Sequence, residues 1–280
     1  MSERINRKNI AEDTLEILSQ GFFVSANGER IDIATKQQFA EENTVTYSPE
    51  MSDNLIANRQ SVTAQVTESG TQITVTGETT LDAVRRLIKE GEQDVVCLNF
   101  ASAKNPGGGF LGGSQAQEES IARSTGLYNC LLKADDYYQT NRNTKSCFYT
   151  DYMIYSPAIP IIKDEAGNNL DALYTAAVIT APAVNRGVVK SRESERLPEV
   201  ETVMKRRIEK VLVIALEHKH KTIVLGAWGC GVFQNDPVKI ASYFKEVIDA
   251  KFENAFSKIV FAVYSRNERF IKPFQMEFGG

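Results

Sequence analysis

The chain has 280 residues, 42% of them apolar and 24% charged, the profile of a soluble globular protein able to bury a full core without disulfide or metal support. A net charge of −4 argues against duplex nucleic acid as the main partner, because neutralising phosphates normally takes a basic surface. Cys97, Cys130, Cys147 and Cys230 show neither CxxC pairing nor metal-ligand spacing. The only two histidines, His218 and His220, sit in one His-Lys-His run, which excludes Ser-His-Asp and Cys-His chemistry and histidine-based zinc sites. The start Met1-Ser2-Glu3-Arg4 lacks the apolar core of a signal peptide. No apolar run approaches a membrane span. The expectation is a cytoplasmic protein, by default a monomer.

Residues 1 to about 70 are polar and poorly periodic. A helix is predicted around Asn9–Ser19, with Ile10, Thr14, Ile17 and Leu18 on one face. The stretch Glu41–Arg59, rich in Asn, Ser, Thr and Glu, is expected to be an irregular lid or connection. With too few apolar residues for its own core, 1–70 reads as an accessory extension to a domain covering 71–280.

From residue 72 the pattern changes. Ile73–Thr76 reads as a strand, and Gly77–Asp82 opens a helix to about Glu90. Thr79 and Asp82 stand at capping-box spacing, and Leu81, Val84, Leu87 and Ile88 form the buried stripe. Asp94–Phe100 (DVVCLNF) is the β-branched run of a strand covered on both faces, with Cys97 a core residue. A helix Ser120–Leu132 follows, begun by the triplet Gln117-Glu118-Glu119. Further strands are predicted at Ala177–Thr180, Thr222–Leu225 and Lys258–Val263. Further helices fall at Val200–His218, with Ile208, Val211, Leu212, Ala215 and Leu216 on one face, and at Val238–Lys251. His218 and His220, at a helix C-terminus, read as surface residues. Strands alternating with helices indicate an α/β sheet covered on both sides, in which ligands bind beyond the carboxyl ends of the strands.

Both glycine-rich segments lie at such ends. In the first, Gly107-Gly108-Gly109-Phe110-Leu111-Gly112-Gly113, five glycines in seven residues let the backbone approach a ligand and turn N–H groups towards a diphosphate. It follows a buried strand and precedes a helix, the context phosphate binding requires, yet matches neither GxGxxG nor GxxxxGK[ST]. Glu118 and Glu119 either complement the helix dipole or do chemistry. Adjacent helical residues point about 100° apart, so the two cannot share one job. A carboxyl beside a partly dry pocket can have its pKa raised and serve as a general acid. The second loop, Gly226-Ala227-Trp228-Gly229-Cys230-Gly231-Val232-Phe233, precedes a helix for which Asp236 is the expected cap. Phe233 packs either on a ribose or base or, like Trp228, in the core.

The Gly-Gly-Gly run, the seven-residue spacer and Gln117-Glu118-Glu119 resemble the signature of the poly(ADP-ribose) glycohydrolases. The flanking Asn99-Phe100-Ala101 and Arg123-Ser124-Thr125-Gly126-Leu127-Tyr128, with GAWGCGVFQNDP, are similar to the compact microbial type. The resemblance covers roughly 72–265 and is weaker over the N-terminal extension. It implies a macrodomain-like three-layer α/β/α fold with a mixed, mostly parallel sheet, plus a partly helical N-terminal extension. It implies ADP-ribose or poly(ADP-ribose) as ligand, carried on an ADP-ribosylated macromolecule, and no metal or other cofactor. By position, Glu119 matches the catalytic glutamate. Glu118, grouped with Glu119 as catalytic, and Asn105 match residues holding the ribose whose bond is cut, and Asn99 and Gln117 are expected to bind substrate beside them. Gly107, Gly108 and Gly109 with Gly229, Cys230, Gly231 and Val232 match the diphosphate-binding backbone, and Phe233 the aromatic beside it. Thr79–Asp82 lies near the nucleoside. The expected activity is hydrolysis of ribose–ribose bonds from the chain end. The alternatives are a mono-ADP-ribosyl hydrolase and a non-catalytic ADP-ribose reader, since fold alone does not decide function.

Overall fold

The computed structural model describes residues 2–58 and 70–279; Arg59 and the rest of 59–69 within the expected extension lie outside the described residues. In chain order the strands are β1 Phe22–Val24, β2 Arg30–Asp32, β3 Val45–Tyr47, β4 Gln72–Thr76, β5 Val96–Phe100, β6 Met153–Lys163, β7 Asn169–Ala181, β8 Thr222–Leu225 and β9 Lys258–Ala262. The α-helices are α1 Glu3–Gln20, α2 Ala34–Glu42, α3 Pro49–Asn58, α4 Thr80–Lys89, α5 Gln117–Ser124, α6 Leu127–Leu131, α7 Asp135–Asn143, α8 Arg186–Arg192, α9 Glu199–Glu217, α10 Pro237–Lys251 and α11 Lys272–Phe278.

Seven strands make one sheet in the order β3-β6-β7-β5-β8-β9-β4. The pairs β7/β5, β5/β8, β8/β9 and β9/β4 are parallel, and β3/β6 and β6/β7 antiparallel, giving the mixed, mostly parallel sheet expected. β5 shows why its sequence is apolar without alternation. Val96 and Leu98 enter the core under α9 and α10, while Cys97 enters the opposite core with Leu81, Val84 and Leu87 of α4. α4 starts where the cap predicts, with Thr79 Oγ1 accepting from Asp82 N. α10 starts on Asp236, which accepts from Val238 N.

The structure departs from the sequence reading in four places. Glu41–Arg59 is not an irregular connection: up to Asn58 it holds the end of α2, the strand β3, which extends the main sheet, and α3. Ser120–Leu132 is not one helix. Thr125 takes extended geometry (φ −142°) and bridges to Ile161, its hydroxyl donating to Ile121 O at 2.8 Å, and the chain restarts as α6. β6 was not anticipated, because Pro157 and Pro160 argue against a ladder strand. The register shifts between Ser156 and Ile159, where Ala158 has φ +48°, a bulge that absorbs the interruption.

The fourth correction concerns the histidines, which are not surface residues. His220 is 5% exposed, with its Nε2 2.9 Å from Tyr155 Oη and its Nδ1 against Asp94 O. His218 stacks on the Tyr155 ring (centroids 3.5 Å, 6° between planes) and stands 2.8 Å from Tyr47 Oη. Burial lowers both pKa values, that of His218 to about 4. Among the described residues no helix is long and apolar enough to cross a membrane.

Candidate active site

The site is assembled where β5 and β8 end and α5 begins. α5 has no side-chain N-cap; its first residue ties it to the strand instead. Gln117 Oε1 accepts from Phe100 N at 2.8 Å, while its Nε2 donates to Leu98 O at 2.7 Å and to Thr80 Oγ1 at 3.1 Å. Both ends of the Gln117 amide, expected at the ligand, thus serve the scaffold, although the side chain also lines the cleft. With the helix start fixed in this way, the next two residues are aimed.

Glu118 turns inward and is 3% exposed. Its Oε2 accepts from Ser102 N at 2.6 Å and its Oε1 from Asn99 Nδ2 at 3.4 Å. Burial pushes its pKa up to about 8, opposed by the Ser102 N–H and reinforced by Glu119. Near neutral pH it therefore holds a proton. Glu119 is partly exposed, and its Oε1 accepts from Gly109 N at 2.9 Å. The adjacent glutamates converge on Gly108. A Cβ there would lie 2.9 Å from Glu119 Cδ and 3.1 Å from Glu118 Oε2. Gly108 also has φ +61°, so glycine is required twice over.

Asn99 is wholly buried and donates to Glu118 and, at 3.2 Å, to Thr180 Oγ1; its Oδ1 has no hydrogen-bond partner. Asn105 is exposed, and its backbone shapes the turn, N–H to Ser102 Oγ and C=O from Gly108 N. In the second loop Trp228 is a core residue, fully buried with its indole N–H on Ala181 O at 3.3 Å. Gly229 (φ +73°) is held through its carbonyl by Asn235, from the amide at 3.2 Å and from the backbone N–H at 3.1 Å. Cys230 is buried, and that burial raises its thiol pKa well above the usual value. Gly231 and Val232 stand open to solvent, and Phe233 meets Tyr149 at 6.0 Å between ring centroids.

These parts enclose a cleft of about 560 Å³ between the two loops, with Asn105, Gln117, Glu118, Glu119, Gly229, Gly231, Val232 and Phe233 on its walls. Asn99 and Gly107–Gly109 stand behind the glutamates instead. A second cavity of about 380 Å³ adjoins it, sharing Phe100, Gln115, Gln117 and Gly231 and adding Thr79–Leu81, Cys230, Glu165, Tyr264 and Phe270. Cys230 thus sits on the adjoining wall. Tyr149, Glu165 and Tyr264 escaped the sequence reading, because each reaches the cavities from an irregular segment without a motif. In the C-terminal tail, Phe270 lines the second cavity, while α11 packs on α10 and β4. No group of three or more His, Cys, Asp or Glu among the described residues is arranged to hold a metal ion.

Residues 11–164 match the family model of the microbial-type PARG catalytic domain, PARG being poly(ADP-ribose) glycohydrolase. That match starts inside α1 and so takes in most of the expected N-terminal extension. Among solved structures, the poly(ADP-ribose) glycohydrolase of Thermomonospora curvata is similar with 38% identity and a TM-score of 0.91, over 98% of this chain and 99% of that one. Its complex with the inhibitor ADP-HPD gives 37% and 0.86 over 98% of each chain. The Deinococcus radiodurans glycohydrolase in complex with ADP-ribose gives 41% and 0.81, over 86% of this chain and 96% of that one. No curated protein matches the chain.

Proposed function

The chain belongs to the microbial-type poly(ADP-ribose) glycohydrolases, and from that premise we propose that it hydrolyses the 1″–2′ O-glycosidic bonds between riboses, with Glu119 as proton donor and acceptor. The observation that carries this reading is the pairing on the cleft wall of a partly exposed carboxyl, Glu119, which accepts from the Gly109 N–H, with a buried one, Glu118, engaged by Ser102 and Asn99. The adenosine of a bound unit occupies the 380 Å³ cavity, the diphosphate crosses the backbone of Gly229–Val232, and its outer ribose lies beside Glu119. This is the arrangement to expect of relatives whose structures hold ADP-ribose and ADP-HPD.

In the first step the C1″–O2′ bond breaks, and Glu119 gives its proton to O2′ of the departing ribose. The oxocarbenium-like ribose that forms is stabilised by the anionic diphosphate. Water then adds to C1″ while Glu119, now a carboxylate, takes the water's proton. Glu118 cannot exchange places with it: buried, with both oxygens engaged by Ser102 and Asn99, it holds the ribose side of the site and positions its neighbour. The two carboxyls stand on one side of the bond, unlike those of a glycosidase that flank it from opposite faces.

Replacing Glu119 by Gln tests this. Isothermal titration should show ADP-ribose bound as in the wild type, while release from polymer falls about 10²- to 10⁴-fold, the usual cost of losing general acid–base catalysis. Wild-type turnover in Glu119→Gln would refute the assignment. The chain acts, on this reading, from the free end of the polymer, because Glu165, Tyr264 and Phe270 leave the nucleoside of the bound unit facing protein. Internal cuts among the first products, or release only from mono-ADP-ribosylated carriers, would overturn that part. We place the protein in the cytoplasm as a monomer, with 1–70 as an accessory extension of the catalytic domain.

A further inference from the structure

The catalytic turn is unusually free by composition, with five glycines between residues 107 and 113, and glycine loses more conformational entropy on ordering than any other residue. Something must hold it. Inside the turn, Gly109 is fixed through both of its backbone polar groups: its N–H is taken by Glu119, and its carbonyl accepts from Gly112 N at 3.0 Å and Ser114 N at 3.1 Å. Outside it, three consecutive carbonyls each accept from a different arginine. Arg4 Nε reaches Gly112 O at 2.9 Å, Arg7 Nε reaches Gly113 O at 2.9 Å, and Arg123 Nη1 reaches Ser114 O at 2.7 Å. Two of these arginines come from α1 and the third from α5, one helical turn after Glu119.

α1 is built for this contact. At about 100° per residue, Arg4, Arg7, Ala11 and Thr14 fall within an arc of about 80°. Ala11 is fully buried against Phe110 and Ala122. The Thr14 hydroxyl donates to Arg123 O. The helix backbone itself lies on Gly113, where a Cβ would be 3.0 Å from Arg4 Cγ and 3.1 Å from Arg4 C. One face of α1 therefore grips both the glycine turn and the helix that carries Glu119.

We infer that α1 is a positioning element for the reaction, and that Arg7, supported by Arg4, holds the glycine turn so that the Gly109 N–H fixes the Glu119 carboxyl at the scissile bond. The inference rests on the reading of Glu119 as acid and base. Arg7 touches neither the cleft wall nor the carboxylates, so its effect runs through the turn. Its loss should lower kcat while leaving ADP-ribose affinity nearly unchanged, because the second loop and the nucleoside cavity are untouched.

The test compares Arg7→Ala, Arg7→Lys and the double variant Arg4→Ala/Arg7→Ala in the full chain. Polymer hydrolysis, ADP-ribose binding by titration, thermal unfolding and amide hydrogen exchange over 107–114 are measured on each. Expected is a fall in kcat of about 10- to 100-fold in Arg7→Ala, the scale of a misplacement near 1 Å. ADP-ribose Kd should stay within about threefold, exchange at Gly109 should be faster, and Arg7→Lys should recover much of the rate. If the double variant does not fold, Arg7→Ala and Arg7→Lys decide. Wild-type kcat with unchanged exchange in Arg7→Ala overturns the inference, as does a loss of kcat and affinity in step with global unfolding. Were Glu119→Gln fully active, the reading of Glu119 would fall, whereas hold of the turn by Arg7 would still be read in the exchange.

Discussion

The turn Gly107–Gly113 takes its shape from polar groups at its rim, the carboxyl of Glu119 on one side and the guanidinium groups of Arg4, Arg7 and Arg123 on the other. The loop Gly226–Phe233 is pinned from below, by the buried Trp228 and by Asn235, whose amide donates to Val184 O at 2.8 Å as well as to Gly229 O. Side-chain changes on a neighbouring helix can reset the first, whereas the second moves only if the core moves. On the proposed reading, the acid on α5 is steadied by the adjustable turn, through the Gly109 N–H, and the diphosphate lies on the rigid loop. That division suits a reaction in which the ligand must be placed once and the proton must be placed within tenths of an ångström.

The division can be broken from either side. The largest effect is expected on the first loop. Gly108→Ala forces a side chain into both carboxyls at a left-handed φ, and turnover should drop at least about 10²-fold, near the loss in Glu119→Gln; single-turnover assays would show it. Next comes Glu118. Its folded pKa, near 8, lies above the ordinary carboxyl value, so the stability it contributes is full below about pH 4.5 and is lost as pH rises through 8. Glu118→Gln removes that loss. Wild type should therefore weaken relative to Glu118→Gln by on the order of a few kcal/mol between pH 5 and 9, as read by denaturant titration. A constant difference across that range would contradict the burial argument.

In the second loop, Gly229→Ala places a Cβ 2.6 Å from both Ala183 Cβ and Asn235 Nδ2. This should cost about 1–3 kcal/mol of stability and weaken ADP-ribose binding, leaving the chemical step of bound substrate intact. A kcat defect larger than the affinity defect would erase the contrast between the loops. The smallest effect is expected at the tip. Val232 is 77% exposed, so Val232→Ala should change stability by no more than about 0.5 kcal/mol, as thermal unfolding would show.

The parts legible in the sequence were those whose cause is local. β5, β8 and β9 are short, mainly apolar runs rich in Val and Ile, α9 and α10 carry helical stripes, and Thr79 and Asp236 announce their helices. The loops and the glutamate pair were visible for the same reason: a glycine run, a strand before it and a helix after it are neighbours in the chain. The rest depends on distant partners. β6 was hidden by two prolines, Pro157, which a bulge accommodates, and Pro160, which stays in register opposite Thr175. His218, half-buried, and His220, buried, are covered by Tyr47 and Tyr155, 171 and 65 residues away. Arg4 and Arg7 look like ordinary solvated charges until residues 108 and 106 positions further on are brought beneath them.

The tyrosine–histidine stack joins β3 and β6 to the end of α9, and it makes that join an acid-labile seam. Burial depresses the folded-state pKa of both histidines, that of His218 to about 4, so their contribution is whole above pH 6.5 and lost as pH falls towards 4. Glu118 has the opposite slope. Acid therefore relieves the start of α5 while it loosens the far edge of the sheet, and alkali does the reverse. Hydrogen exchange at Thr46 and Tyr47 should quicken between pH 6.5 and 4 while Gly109 stays protected, so that the molecule opens on acidification from the edge remote from its chemistry.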